Sequence, residues 1–229
     1  MSALDARLLC AASFVRAGAV FCDVGTDHAY LPIHLTESGR VCRALATDVR
    51  KGPLSAAREH IAAAGLSDRI RTVLTDGLAG LADEGITDIA ICGMGGELIA
   101  RILSDAPFVK DGNVRLILQP MSRPAATRRF LAENGFAVDG ERLCRAGGRV
   151  YSCLCAHYTA IPYEITPARA EVGAPTLEGE GDSLLFAELL CRRIAIQKEK
   201  LSGLLQGGQS IEKEEALLQE LLQIQQEVR

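Results

Sequence analysis

The sequence predicts an α/β fold: a seven-stranded, mostly parallel sheet covered by helices and finished by a C-terminal β-hairpin, with a small α-helical hairpin behind it. Three observations predict it. Short apolar runs of the kind that form buried strands alternate five times with helical periodicity. Two further apolar runs, Phe136 to Cys144 and Arg149 to Cys155, are separated only by Arg145-Ala146-Gly147-Gly148. Alternation requires helical crossovers and hence parallel strands, whereas a direct turn gives an antiparallel pair. After Ala160 the composition shifts to a Pro-, Gly- and Glu-rich stretch followed by two amphipathic ones.

The elements follow in order. Leu4 to Val15 spaces its apolar residues helically and stops near Gly18. Strand 1 is Ala19 to Asp23, and a helix follows the Asp27-to-Pro32 loop and ends near Gly39. Cys42 to Thr47 is strand 2, ending on Asp48; Pro53 to Ala64 is a helix with Pro in its first turn and Gly65 as its stop. Ile70 to Leu74 is strand 3, ending at Thr75-Asp76-Gly77, and a short helix fits Leu78 to Ala82. Asp88 to Cys92 is strand 4, running into Gly93-Met94-Gly95-Gly96, and Glu97 to Leu103 begins the next helix. Val114 to Leu118 is strand 5, ending at Gln119-Pro120, and Pro124 to Asn134 is a helix closed by Gly135. Residues 161–182 read as a linker or strap. Leu184 to Leu205 and Ile211 to Val228 then form two helices about Gly207-Gly208. The division is 1–160 for the α/β domain and 161–229 for the linker and coiled-coil-like hairpin. These helices are too short for a heptad repeat to set an oligomeric state, and a monomer is favoured.

Charge and cysteines bound the function. The net charge of −4 does not advertise a nucleic-acid binder, but it is uneven: residues 161–229 hold 7 basic and 12 acidic residues, while 101–160 hold nine basic against five acidic. A nucleic-acid ligand therefore needs a local patch. Among the eight cysteines no pair forms Cys-x-x-Cys, and most lie in apolar runs where a thiol acts as a small hydrophobe. With no secretory leader and no run approaching the ~20 apolar residues that span a bilayer, a cytoplasmic protein with reduced thiols and no membrane partner is expected.

Each strand ends in polar or glycine residues on one edge of the sheet, where open α/β sheets bind ligands. Asp23-Val24-Gly25 ends strand 1, and its glycine permits a tight turn and close approach to a ligand. Asp48, 25 residues after Asp23, is placed to accept ribose hydroxyls. Asp76 is placed to accept an adenine amine. Gly93-Met94-Gly95-Gly96 leaves room for a planar group against the backbone. The dinucleotide fingerprint G-x-G-x-x-G fails: Gly25-Thr26-Asp27-His28-Ala29-Tyr30 carries an acid where a pyrophosphate would sit. That carboxylate repels a diphosphate and welcomes the sulfonium and ammonium of S-adenosylmethionine. The added hairpin is also what class I methyltransferases (Rossmann-like) show and the six-parallel-strand dinucleotide fold does not. The Asn-Pro-Pro-Tyr of exocyclic-amine methyltransferases is absent.

Four motifs occurring in order, Asp23-Val24-Gly25-Thr26-Asp27-His28-Ala29-Tyr30-Leu31-Pro32, Asp76-Gly77-Leu78, Gly93-Met94-Gly95-Gly96 and Leu118-Gln119-Pro120, resemble the bacterial tRNA (adenine-N1)-methyltransferase family that modifies position 22. The resemblance covers residues 1–160 well and the tail more loosely. Met121 departs from the Asn of many members. It implies S-adenosylmethionine as cofactor, held by Asp23, Gly25, Asp27, His28, Asp48, Asp76, Gly77, Leu78, Gly93, Met94 and Gly95, and tRNA as partner. Adenine N1 has a free lone pair, so the enzyme chiefly has to orient it toward the methyl–sulfur bond. The catalytic candidates are Asp27, to favour the charge appearing on adenine or to hold the methionine end, His28 or Tyr30, to position the base, and Gln119-Pro120, to line its pocket.

N1 lies on the Watson–Crick edge, so the base must be unpaired or flipped, and RNA approach needs cations. The candidates are Arg123, Arg128 and Arg129 after strand 5, Arg142, Arg145 and Arg149 around the hairpin turn, and Arg192, Arg193, Lys198 and Lys200 on the first tail helix. Cys153, Cys155 and His157 alternate on a strand, ~7 Å apart, too wide for one zinc ion; no metal is expected. His34 and His60 lie in helices and are assigned to solvent or core. A small-molecule acceptor, another RNA and a non-catalytic RNA-binding role are the alternatives.

Overall fold

A computed structural model describes residues 4–207 and 210–228. Five strands, β1 (Ala19–Val24), β2 (Val41–Asp48), β3 (Ile70–Leu74), β4 (Asp88–Gly95) and β5 (Arg115–Ser122), pair in parallel, and β6 (Phe136–Ala146) and β7 (Arg149–Tyr158) form the hairpin. The order is β3-β2-β1-β4-β5-β7-β6, with β7 inserted antiparallel beside β5. The hairpin turn is Gly147-Gly148, both at positive φ (+54° and +70°), the conformation whose twist suits a two-residue turn. Because β1 has β2 on one side and β4 on the other, the crossovers diverge there and leave a crevice at the strands' carboxyl ends.

Side-chain alternation sends each strand's apolar residues to two layers. Leu116 and Leu118 of β5 pack with Ile91, Leu131 and Phe136 under α4 (Gly96–Ser104) and α5 (Pro124–Glu133). Ile117 joins Phe21, Ala46 and Cys153 under α1 (Ala6–Phe14), α2 (Tyr30–Glu37) and α3 (Lys51–Ala63). A third cluster joins Leu143 of β6 to Val172, Phe186, Leu190, Leu221 and Ile224 of the tail.

Three sequence expectations need correction. The helix expected over Leu78 to Ala82 is a turn followed by a 3-10 helix, Ala82–Glu84, because Gly77, Gly80 and Gly85 all adopt positive φ. The loop expected through Pro32 ends earlier: α2 begins at Tyr30, with Pro32 in the first turn, where its missing N–H has no intrahelical partner to lose. The linker contains α6 (Pro167–Val172), whose cap Thr166 accepts from the Arg169 N–H at 3.3 Å and whose first position is proline. The tail helices are α7 (Glu180–Gln206) and α8 (Glu212–Glu227); pairing of Cys191 with Gln225 and Lys200 with Glu214 makes them antiparallel. Gly207 caps α7, and Gly208, the other half of the expected breaker, lies outside the described residues.

Candidate active site

The crevice beside β1 is a two-part trough. One part, about 380 Å³, is lined by Asp5, Arg7, Asp23, Thr26 to Tyr30 and Gln119. The other, about 290 Å³, is lined by Asp48, Asp76, Gly77, Met94 and Arg101. Gly25, Cys92 and Gly93 line both, so the parts meet over two glycines. Gly25 (φ +76°) turns the chain so that its N–H and that of Thr26 both donate to the Thr47 carbonyl at 2.8 Å. A Cβ at Gly25 would fall 2.2 Å from Met94 Cε, so glycine also seats the methionine that walls the trough.

Asp48 is buried at the end of β2 and accepts the Arg50 backbone N–H at 2.8 Å, which leaves further lone pairs for hydroxyl donors. Asp76 is exposed where β3 ends. Two expected cofactor residues do not reach this space. Leu78 is 3% exposed, drawn into the apolar layer with Ile102 and Leu103. Gly95 caps α4, where a Cβ would stand 3.3 Å from Ser122 Oγ, and it lines neither part. Gly96 is glycine for packing: a Cβ there would meet the Arg123 carbonyl at 2.2 Å.

In the first part, burial pushes the Asp23 carboxyl up to about 6. Asp27 is largely exposed, with Oδ2 3.5 Å from His28 Nε2. The His28, Tyr30 and His60 rings form a cluster with centroids 5.2 to 5.4 Å apart, and His60 Nδ1 lies 3.1 Å from the His28 carbonyl. His60 is half-buried and packs against the two rings without lining the trough itself. Gln119 Oε1 accepts the Gly93 N–H at 3.1 Å, which fixes the amide at the bottom of the trough. Thr26 Oγ1 and His28 Nδ1 are buried without a hydrogen-bond partner. Buried polar atoms without partners are costly and wait for a polar ligand. Together with Asp23 and Asp27 they suit a cationic amino-acid tail, and Asp48 and Asp76 suit an adenosine, so the residues fit S-adenosylmethionine. Sequence reasoning missed Asp5 and Arg7, which α1 brings over the trough from outside every strand-end motif.

A second cavity, a groove of about 550 Å³, runs between α5, β7 and α7. Pro120, Met121 and Tyr151 line it together with Arg123, Arg128, Arg129, Arg149, Arg192 and Arg193. Arg123 pairs with Glu97 and Arg193 with Glu171, while Arg129, Arg149 and Arg192 have no carboxylate partner among the described residues. Pro120 therefore faces the groove, while its neighbour Gln119 faces the trough.

Several expected phosphate contacts are corrected. Arg128 borders the groove but is buried, its donors engaged by Glu141, by the Ala170 and Glu171 carbonyls and by Ser152 Oγ at 2.8 Å, so its charge is spent inside the protein. Arg145 pairs with Glu188 and Arg142 with Glu178, and neither lines the groove. Lys200 pairs with Glu214, and Lys198 is exposed away from the groove.

A methyltransferase-domain family model matches residues 4–154. The curated tRNA (adenine(22)-N(1))-methyltransferase of Bacillus subtilis is 34% identical over 153 residues, covering 67% of this chain. That match spans 64% of the relative's own length. The solved tRNA methyltransferase TrmK of Bacillus subtilis superposes with a TM-score of 0.80 at 28% identity over 100% of this chain and 98% of that one. A Streptococcus pneumoniae protein solved in complex with S-adenosyl-L-methionine superposes with a TM-score of 0.77 at 34% identity, covering 93% of this chain and 98% of that one. With the strand order, the trough and these likenesses in agreement, the chain belongs to the methyltransferase-domain family, alongside the bacterial tRNA (adenine(22)-N(1))-methyltransferases.

Proposed function

We propose that this protein transfers a methyl group from S-adenosylmethionine to N1 of adenine 22 in tRNA, in the cytoplasm, with residues 1–160 as the catalytic domain and 161–229 as a tail that walls the RNA groove. One observation carries the reading: adjacent residues of β5, Gln119 and Pro120, face the acidic trough and the cationic groove respectively, so a methyl-donor site meets a polyanion site across one peptide unit. When bound, the cofactor supplies an electrophilic methyl group. Asp48 and Asp76 hold ribose and adenine. Gln119, oriented by the Gly93 N–H, lines the pocket in which the base meets the methyl group. Asp27 faces the charge that develops on the adenine or the methionine end of the cofactor, and Tyr30, stacked on His28 and His60, positions the base. Because N1 carries a lone pair, these residues need only orient the acceptor and withhold water; no base is required. Arg129, Arg149 and Arg192 are the phosphate contacts.

The test is methyl transfer from radiolabelled S-adenosylmethionine to unmodified bulk tRNA, with nucleosides identified after digestion. Label in 1-methyladenosine supports the reading. Label elsewhere, or none with cofactor binding confirmed, overturns the acceptor. No binding at all overturns the methyltransferase.

A further inference from the structure

The trough has a charge problem that the strand-end motifs leave unsolved. S-adenosylmethionine ends in an ammonium and a carboxylate. Asp23 and Asp27 offer the first a partner and the second only repulsion. Among the residues lining that part of the trough, one carries a permanent positive charge: Arg7 of α1.

Arg7 is held from three sides. Its Nε donates to Asp5 Oδ2 at 3.2 Å and its Nη2 to the same carboxylate. Its guanidinium carbon lies 5.8 Å from the centroid of the Tyr151 ring. Its Nη1 donates at 2.9 Å to the thioether sulfur of Met121. A thioether is a weak acceptor, and a guanidinium whose side chain is only 26% exposed gains by exchanging it for an oxygen anion. Asp5 is itself fixed, because it caps α1 by accepting the Arg7 and Leu8 N–H groups at 2.9 and 3.0 Å. The helix cap thus preorganises the arginine.

We propose that Arg7 is the receptor for the carboxylate of the cofactor's methionine moiety, with Nη1 leaving Met121 Sδ to meet it. A phosphodiester is a poorer occupant of the same position: Asp23 and Asp27 line the same part of the trough, and two of the guanidinium's donor nitrogens are already engaged by Asp5. A zwitterion satisfies both signs of charge at once. The inference rests on S-adenosylmethionine being the cofactor.

The experiment is calorimetric binding of S-adenosylmethionine and of its decarboxylated form, which keeps the sulfonium and amine and lacks only the carboxylate. The wild-type protein is expected to bind the first at least tenfold tighter. Arg7→Gln, which keeps a polar stem, and Arg7→Ala should bring S-adenosylmethionine down to the decarboxylated ligand, whose own affinity stays within twofold. Arg7→Lys should restore part of the difference, since a point charge still meets a carboxylate. Equal weakening of both ligands would make Arg7 merely a structural support of α1 and overturn the proposal. Unchanged binding of both would overturn it too. A wild-type protein that binds both ligands equally removes this inference alone, whereas one that binds neither removes the cofactor reading with it.

Discussion

Arg128 and Glu141 form an ion pair sealed from solvent, with 2% and 3% of their surfaces exposed, and the pair joins the sheet to the tail. Arg128 also donates to the last carbonyls of α6, at Ala170 and Glu171, and Glu141 accepts the Ala174 N–H at 3.3 Å. Gly173 makes room: a Cβ there would stand 2.2 Å from Glu141 Oε2. Removing one partner of a buried pair leaves the other charge uncompensated and costs about 3–5 kcal/mol. Arg128→Met and Glu141→Gln should each lower the melting temperature by about 10 °C, read by thermal denaturation. A shift of a degree or two would show the pair to be dispensable.

Two glycines of one motif should respond differently. Gly96→Ala drives a Cβ into the Arg123 carbonyl, a backbone atom that cannot swing aside, and should cost about 1–3 kcal/mol or more in stability. Gly93→Ala meets nothing within 4 Å but imposes φ +77° on a residue with a Cβ, at about 1–2 kcal/mol. Its larger effect should be on cofactor affinity, because Gly93 lines both parts of the trough. Melting curves and calorimetry on the two variants separate these outcomes.

Asp48→Ala should weaken cofactor binding tenfold or more, since a hydrogen bond to a charged acceptor is worth about 1.5–3 kcal/mol. Leu78→Val, in the core beneath, should leave affinity within twofold while lowering stability by about 1 kcal/mol.

Asp23 gives the site a pH dependence of definite sign. Its carboxyl is raised in the folded protein, from 3.8 to about 6, so its protonated form is favoured by folding. That contribution to stability is complete below about pH 4 and is lost as pH rises through about 6. A bound cation reverses the preference, so cofactor affinity should climb between pH 5 and 7 and then level off. Calorimetry with S-adenosylhomocysteine across that range should show the climb, and Asp23→Asn should flatten it.

Arginines of the groove and arginines held in ion pairs should respond differently to substitution. Arg149→Ala combined with Arg192→Ala should weaken tRNA binding and reduce the slope of log affinity against log salt by about 1 to 2. Arg145→Ala, which breaks only the pair with Glu188, should leave that slope unchanged. Filter binding at several salt concentrations reads both.

The strands and the strand-end acids were legible because period-2 apolar runs and the Asp-x-Gly turn are local signals. Asp23, Asp48 and Asp76 stand at one edge as expected. What escaped was non-local. Arg128 looks like any surface arginine until Glu141, 13 residues away, and the α6 carbonyls close around it. Leu78 shares a motif with Asp76 and Gly77, yet the positive φ at Gly77 turns its side chain inward. Arg7 lies on a helix with no motif, and only packing brings it to the trough, as only packing brings His60 against the His28 and Tyr30 rings. The cap of α6, Thr166-Pro167, was readable but sat in a stretch whose Pro and Gly content suggested a loop.

Strand β5 works as a partition with a ligand chamber on either side of Gln119-Pro120. A methyl group passes only where the two ligands touch, so on the proposed reading the body of the tRNA keeps to the groove while its target base reaches past Pro120 to Tyr30 in the trough. The peptide unit between Gln119 and Pro120 is then the threshold the base crosses, and the fit of one nucleotide through it, more than the grip on the phosphates, sets which acceptor is methylated.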